Sequence, residues 1–234
     1  SPYFTFTSMA EVQAAKWDIS SPSWLWGYDI TQETTTHWNS FYSNIDNTNP
    51  ISYAGGGAFK SIYSLLYAHI APSDVRRNLY INRTEAPTIA RRYPQLPNYA
   101  NLKYVTDPRF LGDYCFLRLE DPLLLYIEAL VEKNELPRAQ NTLTYFMQNF
   151  RDLSYTPTAT DQASMREEVR WQRRIELWGE GTSFFDFKRW GLGANRTQAG
   201  SNHVYAIDVP AGDRRWVYQI PISEIEANPN MVQN

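Results

Sequence analysis

Glu176 and Glu180 stand four residues apart in RWQRRIELWGEGTSFFDFKRWG, residues 170–191, and on a helix that spacing puts two carboxylates on one face. A pair of carboxylates flanking a glycosidic bond is the machinery of glycoside hydrolysis, and its acid member needs a raised pKa. The neighbours argue against that use. Arg166, Arg170, Arg173, Arg174, Lys188 and Arg189 crowd the stretch, and nearby positive charge holds a carboxylate ionised. The same cations interleave with Trp171, Trp178, Phe184, Phe185, Phe187 and Trp190, a pattern that would also suit a nucleic-acid groove. Yet Glu167, Glu168, Glu176, Glu180 and Asp186 nearly cancel them, and the chain's net charge is −3, without the positive surplus that phosphate binding requires. The favoured reading is a buried polar network of Arg170, Arg173, Arg174, Glu176, Glu180, Asp186 and Arg189, whose ion pairs fix how helices dock.

Candidates for ligand contact lie earlier. Trp38, Asn39, Phe41, Tyr42 and Tyr53 occupy a polar, turn-rich segment where an aromatic has no packing partner nearby in sequence. Such rings suit flat, partly apolar ligands such as sugars. Trp38 and Tyr42 are expected to stack on sugar faces, with Asn39, Asn44 and Asp46 supplying hydrogen bonds. The alternative is that these rings pack against chain preceding residue 1. Trp24, Trp26 and Tyr28, in contrast, read as strand-packing or core aromatics. The three histidines, His37, His69 and His203, have no ligand-like spacing, so no metal site is predicted, and nothing points to a cofactor. Cys115 is the sole cysteine and reads as a buried, inert thiol. No run of eighteen apolar residues is present, so no spanning helix is expected.

The elements that must position these residues follow from periodicity. SWLWGYDIT (23–31) reads as a strand, with Trp24, Trp26 and Tyr28 on one face and Leu25 and Ile30 breaking a clean alternation. Residues 58–76 read as a helix with Phe59, Ile62, Leu65, Leu66 and Ile70 at helical spacing, and the proline-rich 82–109 as mostly irregular. Asp121 followed by Pro122 predicts a helix start. Leu123, Leu124, Ile127 and Leu130 then face one way, KNELPRAQ supplies a turn, and Ala139, Leu143, Phe146 and Phe150 continue on a second helix that Pro137 opens. That hairpin has the size of a tetratricopeptide unit, about 34 residues. A third helix over 164–178 carries Trp171, Ile175 and Trp178 as a stripe until Gly179 and Gly181 break it. Ser183 is expected to cap a short helix that closes at Gly191. Residues after 191 read as irregular, with a short strand-like run and a closing turn at Asn228-Pro229-Asn230. The fold class is mainly α, with tetratricopeptide-like helical hairpins, long irregular loops and a few short strands.

Three blocks carry a family resemblance. Arg170, Arg173, Arg174, Glu176, Leu177, Glu180, Gly181, Phe185, Asp186, Arg189, Trp190 and Gly191 resemble the signature of the SusD/RagB-like outer-membrane nutrient-binding lipoproteins. Ile220, Pro221, Glu224, Asn228, Pro229 and Asn234 are similar to that family's ending, and Arg118, Asp121, Leu124, Glu128 and Ala129 to a helix-opening block, with Pro122 and Ile127 as departures. The resemblance covers essentially residues 1–234 as a C-terminal domain, so a longer protein with a signal peptide, a lipid-modified cysteine and N-terminal helical repeats is expected. It implies a non-enzymatic component on the extracellular face of the outer membrane. That component would bind glycans or peptides, be held by a lipid anchor outside this chain, and partner a SusC-like TonB-dependent transporter. A glycan-degrading enzyme and a non-binding scaffold for the transporter are the alternatives, and neither nucleic acid nor a cofactor is implied.

Overall fold

A computed structural model describes residues 4–233, and the chain divides into two units, Ser1–Glu180 and Gly181–Asn234. In chain order the first unit carries α1 (Met9–Gln13), β1 (Trp24–Tyr28), α2 (Phe41–Ile45), α3 (Ser64–Ala68), α4 (Pro87–Arg92), β2 (Tyr114–Arg118), α5 (Glu120–Glu132), α6 (Leu136–Phe150) and α7 (Gln162–Glu176). Short 3₁₀ turns at His37–Asn39 and Val75–Leu79 complete it. The described residues are mainly helical with a few short strands, as the sequence predicts.

The predicted hairpin is α5 and α6. Leu124, Ile127 and Leu130 from α5 meet Ala139, Leu143 and Phe146 from α6, and Met165 and Val169 of α7 close the same buried cluster. Each of these side chains except Ala139 contributes about 1.5–3 kcal/mol by leaving water. The turn between the helices is built on Asn134, at φ +60°. Its N–H donates to Val131 O (2.9 Å) and that of Glu135 to Leu130 O (2.8 Å), satisfying carbonyls that a helix end leaves open. Pro137 lies in the first turn of α6, where its missing N–H costs nothing. The other end differs from expectation. Asp121 is not the N-cap, because α5 already begins at Glu120, and its carboxylate serves another helix instead. For α7 the cap is Asp161, which accepts from the Ser164 N–H at 2.7 Å.

Two further expectations need correction. The helix predicted over 58–76 shrinks to α3, because the backbone before it is used elsewhere. Asn101 N donates to Lys60 O (3.0 Å), Ile62 N to Tyr99 O (2.9 Å) and Lys60 N to Asn47 Oδ1 (2.8 Å). Ile62, Leu66 and Ile70 still reach the core. In β1, which pairs antiparallel with β2, irregularities on either side of Trp26 break the alternation. Trp24 is therefore buried while Trp26 and Tyr28 are exposed. Cys115, opposite Gly27 in this ribbon, is half-buried, and burial pushes its thiol up to about 12.

The second unit holds α8 (Thr182–Arg189), a pair of two-residue strands, β3 (Ala194–Asn195) and β4 (Asp208–Val209), a 3₁₀ turn at Arg214–Trp216 and α9 (Ile222–Ala227), the last missed by the sequence reading. Gly181, not Ser183, is the N-cap of α8, in a left-handed conformation with no side-chain cap. Gly191, at φ +65°, does end it. Its N–H reaches Lys188 O (3.1 Å) and that of Leu192 reaches Phe187 O (2.9 Å). Phe184, Phe187, Trp216 and Tyr218 pack their rings together. Asn234 lies outside the described residues. No helix among those described is long and apolar enough to cross a membrane.

Candidate functional site

The polar network is present, but its cations are not the ones adjacent in sequence. Glu176 ends α7 with its carboxylate buried. Arg151 grips it with two parallel bonds, Nε to Oε2 and Nη2 to Oε1, both 2.7 Å. Arg118 Nη1 adds a bond to Oε1 at 2.8 Å and Arg76 Nη1 one to Oε2 at 3.1 Å. Gly179 then breaks the helix at φ +80°, where a Cβ would come within 2.6 Å of the Tyr104 ring. The break turns Glu180 back onto Arg118, which donates to it through Nε and Nη2 at 2.8 Å each, and onto Lys103 Nζ at 2.6 Å. Lys103 also bonds the carbonyls of Glu176 and Trp178 (3.0 Å each), so a cation sits at the negative end of α7. Glu120, at the start of α5, pairs with both Arg118 (3.0 Å) and Arg151 (3.1 Å), and Asp74 pairs with Arg76 at 2.6 Å. Four cations, Arg76, Lys103, Arg118 and Arg151, thus face four carboxylates, Asp74, Glu120, Glu176 and Glu180.

This arrangement decides the chemistry. Burial opposes ionisation of Glu176, but the charges of Arg151, Arg118 and Arg76 outweigh it and hold the carboxyl well below its usual range. Glu180 is lowered in the same way, against burial, by Arg118 and Lys103. Neither can store a proton to give to a leaving group, so the acid–base reading of this pair has no support. The remaining network residues go elsewhere. Arg173 reaches Asp121 Oδ1 on α5 at 2.6 Å, Arg170 pairs with Glu167 at 2.8 Å, and the Arg174 guanidinium lies 4.7 Å from the Trp171 ring centre. In the second unit Arg189 pairs with Asp186 at 2.9 Å. Of the missed residues, Arg118 and Glu120 had a signal, their place in the LRLEDP block. Arg76, Lys103 and Arg151 gave none, because the glutamates they bind are far away in sequence.

The aromatic candidates separate into surface and core. Trp38 and Tyr53 are 49% and 52% exposed and meet edge to face, 4.9 Å between ring centres and 76° between planes. Asn39 is exposed beside them. Trp38 is carried on a 3₁₀ turn entered through His37 at φ +46°. Tyr53 is carried on a loop folded back on α2, where Ala54 N donates to Ser43 O at 3.0 Å and Ser52 Oγ bonds Asp46 O at 2.8 Å. Tyr42 is a correction: it is fully buried, packed on Phe41, Tyr104 and Tyr114, and offers no face to a ligand. Phe41 sits between the two, one edge exposed and its ring against Tyr104 and Tyr114. Asp46 is also buried, accepting from the Thr48 and Thr106 backbones, whereas Asn44 is exposed. Sequence reasoning missed a second exposed pair, Trp26 and Phe116 (65% and 55%), 5.0 Å apart across the β1–β2 ribbon. Among the described residues no group of three or more His, Cys, Asp or Glu could hold a metal ion.

Helical packing around an internal ion network, with aromatics displayed on loops, defines the class: a mainly α, loop-rich protein whose acidic pair is buried among cations. A family model described as the SusD family matches residues 99–234, more than half of the chain, and the chain belongs to that family. The fold is similar to a SusD-like carbohydrate binding protein from Bacteroides vulgatus (TM-score 0.74, 20% identity, 98% of this chain and 52% of that one). It is also similar to a SusD superfamily protein from Bacteroides thetaiotaomicron (0.73, 23%, 99% and 52%). A third likeness is to a SusD superfamily protein from Parabacteroides distasonis (0.66, 17%, 99% and 53%). The chain spans about half the length of these solved structures, and at such identities they show the fold alone. No curated protein matches the chain.

Proposed function

We propose that the protein is the ligand-binding component of an outer-membrane nutrient importer. It is displayed on the extracellular face, captures glycans and passes them to a SusC-like TonB-dependent transporter. The observation that carries the binding reading is the exposed Trp38–Tyr53 pair beside Asn39, rings held on hydrogen-bonded loops with polar groups next to them. Family membership supports the importer, its membrane location and the transporter partner. Binding without hydrolysis is the mode favoured by Glu176 and Glu180, both kept as carboxylate anions by their cations.

The test is calorimetry against a panel of soluble glycans, paired with a hydrolysis assay. Trp38→Ala combined with Tyr53→Ala is expected to weaken binding at least about tenfold, roughly 1.4 kcal/mol, while Tm stays unchanged and no glycan is cleaved. Unchanged affinity in that double variant removes the reading. A second reading has its own observation, the more exposed Trp26–Phe116 pair on the ribbon. Loss of affinity confined to Trp26→Ala with Phe116→Ala would move the ligand there.

A further inference from the structure

A cavity of about 340 Å³ opens beside α7 in the first unit, away from both exposed ring pairs. Its size falls at the lower end of small-molecule sites, roughly 300–1,000 Å³. Asp152, buried, and Glu168, half-buried, both line it. Asp152 accepts from the hydroxyls of Ser73 (3.0 Å) and Ser154 (2.8 Å) and from the Ser154 backbone N–H (2.9 Å). Glu168 receives the Tyr155 hydroxyl (2.9 Å) and the Gln172 amide (3.0 Å), both on Oε1, which leaves Oε2 for a ligand.

Neither carboxylate has an ion-pair partner among the described residues. The nearby guanidinium, Arg76, is committed to Asp74 and Glu176, and Gln172 stands between it and Glu168, accepting from Arg76 Nη2 at 2.6 Å. This contrasts with the neighbouring network, where every buried acid has its cation. Charge taken out of water without a counterion is costly, and neutral donors offset only part of the cost. A ligand that brings the cation would be favoured. Ser73, Ser154, Thr156 and Thr158, all exposed residues, ring the opening; the first two donate to Asp152, and all four hydroxyl oxygens can accept from a ligand rich in hydroxyls of its own. His69, stacked on Trp171 with ring centres 3.7 Å apart, forms one wall. Because Gln172 is tied to the buried network through Arg76, the floor is held in place before a ligand arrives.

We propose that this cavity is a second binding site, specific for a small polyhydroxylated cation, an amino sugar with a free ammonium group. The ammonium would lie between Asp152 and Glu168 and the sugar hydroxyls would meet the rim. The proposal does not depend on the Trp38–Tyr53 surface.

Calorimetric titration of the 234-residue chain with glucosamine, glucose and N-acetylglucosamine at neutral pH tests it. Glucosamine is expected to bind at least about tenfold more tightly than either neutral sugar, a difference of roughly 1.4 kcal/mol. Glu168→Gln, which keeps an acceptor for Tyr155 and Gln172, is expected to remove that preference with the fold intact by Tm, as is Asp152→Asn. The Trp38→Ala, Tyr53→Ala variant should keep it. Absence of glucosamine binding, equal affinity for glucose, a preference that survives Glu168→Gln, or its loss in the Trp38, Tyr53 variant would each overturn the assignment. The last of these would leave the aromatic surface standing as the glycan site.

Discussion

Two bidentate arginine–glutamate pairs hold the three-helix core of the first unit, and their geometry is almost the same. Arg151 meets Glu176 at 2.7 and 2.7 Å, and Arg166 on α7 meets Glu132 on α5 at 2.6 and 2.8 Å. Burial separates them. The side chains of the first pair are 0% and 4% exposed, those of the second 27% and 48%. In the interior, removing one partner strands the other's charge, at about 3–5 kcal/mol. At the surface water replaces the lost partner, and such pairs contribute about 0.2–1 kcal/mol. Distances alone do not rank ion pairs, and the weight of the network comes from where α7 ends.

The largest effect should therefore follow Glu176→Gln, which leaves Arg76, Arg118 and Arg151 facing a neutral amide. Denaturant unfolding is expected to show a loss of about 3–5 kcal/mol. A loss below about 1 kcal/mol would put this pair in the same class as Arg166–Glu132 and break the comparison. Acid titration sharpens it. Glu176 has a folded pKa below its unfolded one, near 4.3, so its stabilisation is complete above that value and drains away as pH falls toward the folded value. The wild-type Tm should drop through this acid window, and Glu176→Gln should flatten part of the drop. A variant curve parallel to that of the wild type contradicts the assignment.

A smaller loss is expected from Gly179→Ala. The residue is at φ +80° and its new methyl would press on the Tyr104 ring, so strain of about 1–3 kcal/mol is expected. That strain acts where the chain must turn for Glu180 to reach Arg118 and Lys103. Unfolding measurements on Gly179→Ala and Arg118→Ala, alone and combined, test the link. Additive losses would mean that the turn and the network are independent.

How much of this was legible follows the distance between partners. The α5–α6 hairpin could be read because Leu124, Ile127 and Leu130 mark one helix face locally, as do Ala139, Leu143 and Phe146. The two acids of the network could be read because they lie four residues apart and a glycine follows. Their cations could not, since Arg76, Lys103 and Arg118 are 100, 77 and 62 residues from the acids they bind. The same limit misplaced Tyr42. Its polar sequence neighbours suggested exposure, whereas Tyr104 and Tyr114, some sixty to seventy residues away, bury it. The shared face of Trp24, Trp26 and Tyr28 failed for another reason: Leu25 and Ile30 signalled a broken alternation, but not the irregular pairing around Trp26 that leaves Trp24 buried and the other two exposed.

The smallest effect completes the comparison. Arg166→Ala removes a pair as short as the buried one and tethers the same helix, yet both partners keep contact with water. The loss should stay below about 1 kcal/mol. It should also shrink when salt is raised, because screening reaches an exposed pair within a Debye length of about 10 Å at 0.1 M. The Glu176→Gln loss should hardly change with salt, since ions cannot enter the packed interior around Arg151. Measuring both variants at low and high salt separates burial from geometry as the source of strength. A salt-insensitive Arg166→Ala loss of several kcal/mol would show that bidentate geometry, and not burial, sets the value of these pairs.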